Sequence, residues 1–188
     1  MLNKKHLRAE IKQRRHNLSS EEIEDFSLQI SNLIINLPIW EHSFYHTFLS
    51  IKSLKEVNTE PLLAILFGKD KNIVVSKTNF ETRTMSHILL QDNTILKLNP
   101  QNIPEPDDGI EISSKQIEVV FVPLMAFDEL GNRVGYGKGF YDIFLKKCSK
   151  NTLKIGLSFF EAENFIIENT SHDVALDYCI TPNQVYSF

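Results

Sequence analysis

The chain has 188 residues, 42% of them hydrophobic, which suits one domain, residues 1–188, with a core of its own. A formal net charge of −4 and a pI near 5.9 argue against broad electrostatic attraction to nucleic acid or to an anionic membrane, so any anion has to be held locally. The longest apolar stretch of note, residues 119–127, contains Pro123 and falls far short of the roughly 20 residues of a spanning helix. Cys148 and Cys179 are too few for a disulfide framework or a four-ligand zinc site, and the basic N-terminus lacks the apolar core of a secretory signal. A soluble protein of the reducing cytoplasm is expected.

In chain order, residues 4–16 predict a helix with Leu7 and Ile11 on one side and Lys4, Arg8, Lys12 and Arg15 as a cationic stripe on another. Ser19 and Glu22 have the spacing of a capping box, and Ile23, Phe26, Ile30, Leu33 and Ile34 repeat as one apolar face until Pro38. Residues 44–49 read as a strand, 61–67 as a short helix stopped by Gly68, and 73–76 as a strand. Short strands follow at 85–90 and 94–98, then a loop at 99–109 that holds Pro100, Pro104 and Pro106. Residues 119–122 form an unbroken β-branched and aromatic run, as in a strand buried on both faces, and so mark the centre of a parallel or mixed sheet. A helix at 140–147 and strands at 154–158 and 178–181 complete the alternation, which predicts a three-layer α/β fold.

Directly after the central strand, residues 131–142 hold four of the seven glycines, in the run Gly131-Asn132-Arg133-Val134-Gly135-Tyr136-Gly137-Lys138-Gly139-Phe140-Tyr141-Asp142. Glycines at 135, 137 and 139 would let the backbone take positive φ and bring successive N–H groups onto phosphate oxygens, with Arg133 and Lys138 adding charge. The helix that follows turns its N-terminus toward the same anion. The spacing is neither GxxxxGK[ST] nor GxGxxG, so neither a P-loop nor a dinucleotide fold is indicated. The plainer alternative is a flexible turn with solvated charges.

With its flank Val122-Pro123-Leu124-Met125-Ala126-Phe127-Asp128, this loop resembles the signature of the 5-formyltetrahydrofolate cyclo-ligases, or methenyltetrahydrofolate synthetases. Lys4, Leu7-Arg8, Glu56-Val57-Asn58-Thr59, Glu105-Pro106, Gly156-Leu157 with Phe159, and His172-Asp173 with Asp177 extend the resemblance over most of the chain, in order and separation. Ile143 stands where bacterial members commonly have arginine, Ser76 where proline is expected, Ala162 near a usual glutamine and Leu124 where many have glycine. The resemblance implies a three-layer α/β/α fold with a mixed, mostly parallel central sheet, similar to the sugar-phosphate isomerase and CoA-transferase group. It also implies conversion of 5-formyltetrahydrofolate and ATP, with Mg²⁺, to 5,10-methenyltetrahydrofolate, ADP and phosphate by a monomer that needs neither nucleic acid nor membrane.

A formamide oxygen is a poor leaving group, and the resemblance implies that ATP phosphorylates it before the neighbouring amine closes the ring. Such phosphoryl transfer asks for positioning and charge neutralisation rather than a protein nucleophile, and no motif sets Ser or Cys beside a base. Arg133 and Lys138 are the candidate catalytic cations. Lys4, Arg8, Arg133, Val134, Gly135, Tyr136, Gly137, Lys138, Gly139, Phe140 and Tyr141 are the candidate nucleotide-binding residues. Ile51, Glu56 and Tyr141 are the candidates for the pterin, Glu56 because a carboxylate accepts two hydrogen bonds from an amino-pyrimidine edge. Asp142 and Asp173, and less directly Asp177, are the candidate Mg²⁺ ligands, since that ion takes one or two carboxylates besides phosphate oxygens. Each has a plainer role open to it: Asp142 as an acid in a helix's first turn, Asp173 as a capping loop acid, Lys4 and Arg8 as a solvated face, the tyrosines as packing residues with wet hydroxyls. The six histidines show no HExxH or paired metal spacing. Two other functions compete, a nucleotide-binding relative without folate chemistry and a sugar-phosphate isomerase on the same scaffold.

Overall fold

The computed structural model describes residues 4–188. Helix α1, Lys4–His16, opens the chain and buries Leu7, Ile11 and Arg15. Helix α2, Ser20–Ile35, starts at the expected capping box, in which Glu22 N–H donates to Ser19 Oγ at 3.1 Å and Ser19 N–H to Glu22 Oε2 at 2.7 Å. There follow β1 (Phe44–His46), α3 (Glu60–Gly68), β2 (Asn72–Asn79), β3 (Thr84–Leu89), β4 (Leu96–Leu98), β5 (Pro104–Pro106), β6 (Val119–Pro123), β7 (Ala126–Phe127), β8 (Arg133–Val134), α4 (Phe140–Leu145), β9 (Leu153–Leu157), β10 (Tyr178–Ile180) and β11 (Val185–Ser187).

Seven strands make one sheet in the order β11-β10-β9-β6-β1-β2-β3, with β6 in the middle as its apolar run predicts. The inner pairs are parallel, and only β2–β3 and β10–β11 are antiparallel, so the sheet is mixed and mostly parallel. Because side chains alternate along a strand, Val119 and Phe121 of β6 join one core with Ile30 and Ile34 of α2 and Leu62 and Leu66 of α3. Val120 and Val122 join the opposite core with Phe144 and Leu145 of α4. A third cluster seats Leu7 and Ile11 of α1 on Met125, Ala126 and Val134. No helix among the described residues is long and apolar enough to cross a membrane.

Five features depart from the sequence expectation. Residues 104–106 of the proline loop pair with β4 as β5, with Lys97 opposite Glu105. The segments 126–127 and 133–134 form a small ribbon, and β11 adds an antiparallel edge to β10. The strand expected over 44–49 ends at His46, from which the chain leaves toward the cleft described next. Arg15, assigned to the cationic stripe opposite Leu7 and Ile11, lies on their buried face, two turns on from Leu7 and one from Ile11.

Candidate functional site

The carboxyl ends of β1 and β6 deliver their following loops to one cleft of about 740 Å³, the place where open α/β sheets bind ligands. Its walls bring together Lys4 and Arg8 from α1, Ile51 and Glu56 from the segment after β1, residues 135–142, and Asp173. Thus residues separated by more than 160 positions meet, Lys4 Nζ donating to Asp173 Oδ2 at 2.8 Å.

The ribbon fixes the glycine loop at its base. Buried Asp128 accepts the N–H groups of Leu130 (3.0 Å), Asn132 (2.9 Å) and Ile167 (2.7 Å) and the Asn132 side-chain amide (2.9 Å), which ties both sides of the turn and a distant segment to one carboxylate. From there Arg133 enters the cleft floor. Its Nη2 donates to Asp142 Oδ1 at 2.7 Å and its Nη1 to the Val174 carbonyl. Burial pushes its pKa down from the ordinary value, while Asp142, and at longer range Asp173, oppose that shift. Asp142 Oδ1 also accepts the Val174 N–H at 3.1 Å, so Asp142 joins α4 to the Asp173 loop.

Gly137 and Gly139 have φ of +91° and +76°, as the cradle requires, whereas Gly135 does not take positive φ and has open space at its Cβ position. Arg8 Nε donates to the Gly135 carbonyl at 2.7 Å, and its guanidinium lies so close that a Cβ on Gly137 would stand 3.2 Å from Arg8 Cζ. The backbone N–H groups of residues 136–139 have no hydrogen-bond partner among the described residues. Lys138 is exposed at the cleft with no ion pair among them. This is a loop with donors and a cation in hand for an anion.

At the other end, Glu56 is 5% exposed and its Oε2 accepts the Ile51 N–H at 2.7 Å. Burial raises its pKa, and the Tyr136 hydroxyl, the Ile51 N–H and the nearby Arg15 charge oppose the rise. Tyr136 and Tyr141 are in turn pushed well above the ordinary phenol value, first by burial of the ring ends and then by the Glu56 charge, so both hydroxyls stay protonated.

Val134 stands apart from the other nucleotide-binding candidates. It is fully buried against α1 and its carbonyl accepts the Met125 N–H at 2.7 Å, so it shapes the ribbon and does not line the cleft. Asp177 likewise lies outside the lining, where its Oδ2 takes the Lys154 N–H and side chain and joins β9 to the start of β10. Among the described residues no group of three His, Cys, Asp or Glu could hold a metal by itself. Asp142 and Asp173 each engage one carboxylate oxygen with protein donors, and no donor among the described residues reaches the second. Two half-committed carboxylates beside a loop of unpartnered N–H groups would fit an ion that takes the rest of its oxygens from a phosphate and water.

Sequence reasoning missed Phe80, whose ring meets Phe140 edge-on at 5.3 Å across the cleft mouth, and the role of Arg15. No local pattern marks either, because both are placed by tertiary contacts.

A sequence model of the 5-formyltetrahydrofolate cyclo-ligase family matches residues 1–182. The 5-formyltetrahydrofolate cyclo-ligase of Mus musculus is 33% identical over 153 residues, covering 77% of this chain and 74% of that protein. The Escherichia coli K12 protein of the same name is 26% identical over 187 residues, covering 95% and 100%. Among solved structures, the 5,10-methenyltetrahydrofolate synthetase of Aquifex aeolicus superposes with a TM-score of 0.84 at 28% identity, over 100% of this chain and 93% of that one. The sheet, the cleft and these likenesses agree, and the chain belongs to the 5-formyltetrahydrofolate cyclo-ligase family.

Proposed function

We propose that this enzyme cyclises 5-formyltetrahydrofolate to 5,10-methenyltetrahydrofolate at the expense of ATP. The observation that carries the proposal is the meeting, in one cleft, of an N–H-rich cationic loop at one end and a buried carboxylate at the other.

The triphosphate lies along residues 135–139, gripped by their N–H groups, by Lys138 and by Lys4 and Arg8 of α1. The pterin lies against Ile51, Glu56 and Tyr141, with Glu56 taking the amino-pyrimidine edge. The formyl oxygen then faces the γ-phosphorus. Attack by that oxygen displaces ADP, the N10 amine adds to the carbon made electrophilic, and phosphate leaves with the former formyl oxygen while N10 loses its proton. Arg133 and Lys138 neutralise the charge that develops on the moving phosphoryl group, Arg133 from the cleft floor and Lys138 from the loop. Mg²⁺, held by Asp142 and Asp173, would draw charge from the phosphate oxygens when bound. On this reading the protein works as a single-domain monomer of the cytoplasm, on a small folate, without nucleic acid or membrane.

The test is spectroscopic: the purified chain is mixed with 5-formyltetrahydrofolate and Mg-ATP, and the methenyl absorbance is followed with each component withheld in turn. Product forming only in the complete mixture supports the proposal. ATP binding without product would instead favour a nucleotide-binding relative that lacks folate chemistry.

A further inference from the structure

β1 and β2 carry a serine–histidine pair that no sequence motif announces. His46, at the end of β1, is fully buried, and its Nε2 lies 2.8 Å from Ser76 Oγ on β2. Ser76 stands directly opposite His87 across β2–β3, and Phe144 of α4 packs on both histidine rings, so the three side chains share the sheet face that α4 covers. Of the three, Ser76 alone lines the cleft, and its hydroxyl has no other partner among the described residues. Where the shared proton sits decides what Ser76 can do. His46 Nδ1 is buried and has no partner. Burial, and after it the neighbouring His87, hold the ring well below its ordinary pKa, so it is neutral and carries one N–H. A proton on Nδ1 would leave a buried donor with nothing to receive it. A proton on Nε2 is taken up by Ser76 Oγ and leaves only a bare lone pair on Nδ1, and a buried orphan acceptor is the better tolerated of the two. The ring is then no base for Ser76, and no acid holds Nδ1 as the base of a serine nucleophile requires. Ser76 Oγ is instead held by His46, and its own proton is free to point into the cleft.

We propose that Ser76, fixed by the His46 Nε2–H, is a substrate-binding residue whose hydroxyl donates a hydrogen bond to the ring carbonyl of the pterin, with His46 as its positioning residue. The proposal deepens the folate reading made above and rests on it. The β1–β2 ladder runs on past His46, Thr47 N–H donating to the Val74 carbonyl at 3.0 Å, so Ser76 stands alongside the segment that leads to Ile51 and Glu56. Tyr141, the third pterin candidate, meets His46 edge-on at 6.0 Å. Within the folate, the formyl oxygen is the nucleophile and needs its lone pairs, and Glu56 takes the amino-pyrimidine edge. The ring carbonyl beside that edge is the acceptor left for a neutral donor. Ser76 stands where the family resemblance leads to an expectation of proline, which has no hydroxyl to offer, so the contact belongs to this chain's own sequence.

The first readout uses the wild-type chain without ligand: the ring nitrogens of His46, recognised by the loss of their signals in His46→Gln, are read by nitrogen NMR. A proton on Nε2 and a bare Nδ1 are expected, and a proton on Nδ1 overturns the proposal. The second readout is calorimetric binding of 5-formyltetrahydrofolate and, separately, of Mg-ATP to Ser76→Ala. Folate binding should weaken about five- to tenfold, the scale for one neutral hydrogen bond, with Mg-ATP binding unchanged. In turnover the same variant should raise KM for the folate by that factor and leave kcat alone. Folate binding equal to wild type overturns the proposal, as does an equal loss for folate and Mg-ATP, which would mark a merely structural serine. If the wild-type chain makes no methenyl product while Ser76→Ala still weakens folate binding alone, the assignment of the reaction fails and the contact stands.

Discussion

Arg133 Nη2 stands 2.7 Å from Asp142 Oδ1, so the cation at the end of the ribbon and the acid in the first turn of α4 are locked to each other before any ligand arrives. The same Asp142 oxygen holds the Val174 N–H, which places the Asp173 loop over the pair. From sequence, Arg133→Ala is expected to abolish turnover and spare the fold. Burial changes that expectation, because the substitution opens a cavity and strands Asp142 beside Val174.

Arg133→Ala should therefore lower unfolding free energy by about 3 kcal/mol, the scale for breaking a largely buried pair, as well as removing activity. Urea unfolding measures this directly. A variant as stable as wild type would show that the pair does not hold the loop.

Lys138 offers the contrast, being exposed at the cleft without an ion pair among the described residues. Lys138→Ala should leave the urea midpoint unmoved and reduce kcat/KM for ATP by about a hundredfold, the scale for losing one preorganised charge on a transferring phosphoryl group. Normal ATP kinetics would remove Lys138 from the catalytic set.

Asp128 should act on the fold and not on the chemistry. Asp128→Ala leaves three backbone N–H groups and the Asn132 amide without their common acceptor. A loss of at least about 3 kcal/mol is expected, since hydrogen bonds to a charged group contribute about 1.5–3 kcal/mol each and the effects of shared partners do not add. Calorimetry of the ligand-free protein checks it.

A buried histidine pair makes stability depend on pH. His46 and His87 pack edge-on at 5.4 Å beneath Phe144 of α4, and burial drives His87 down to about 4 and His46 well below its ordinary value. Both are neutral in the fold, whereas the unfolded chain protonates them near pH 6.5. The unfolded state thus binds more protons between about pH 6.5 and pH 4, and stability falls as pH drops through that window, by about 1.4 kcal/mol per unit for each histidine. His87→Leu should show a shallower decline than wild type in urea unfolding at pH 7.5, 6 and 5. Parallel declines would contradict the buried, neutral state of His87.

What the sequence revealed and what it hid divide on physical grounds. Residues 119–122 announce the central strand because both faces are buried, and Ser19 with Glu22 announce α2 because a capping box is local chemistry. The loop at 131–142 is legible from its glycines, of which 131, 137 and 139 take positive φ. The two-residue strands β7 and β8 are too short to carry a period, and β5 hides among prolines. Arg15 misleads because 12 and 15 on one face and 7, 11 and 15 on another are both helical spacings, and only packing against the ribbon decides between them.

The claim that matters most is that the cleft brings the formyl oxygen to the γ-phosphorus. It is tested by supplying 5-formyltetrahydrofolate with a heavy oxygen isotope in the formyl group and weighing the inorganic phosphate released on a single turnover. The account predicts one heavy oxygen in each phosphate. Label found in water, with unlabelled phosphate, would contradict it.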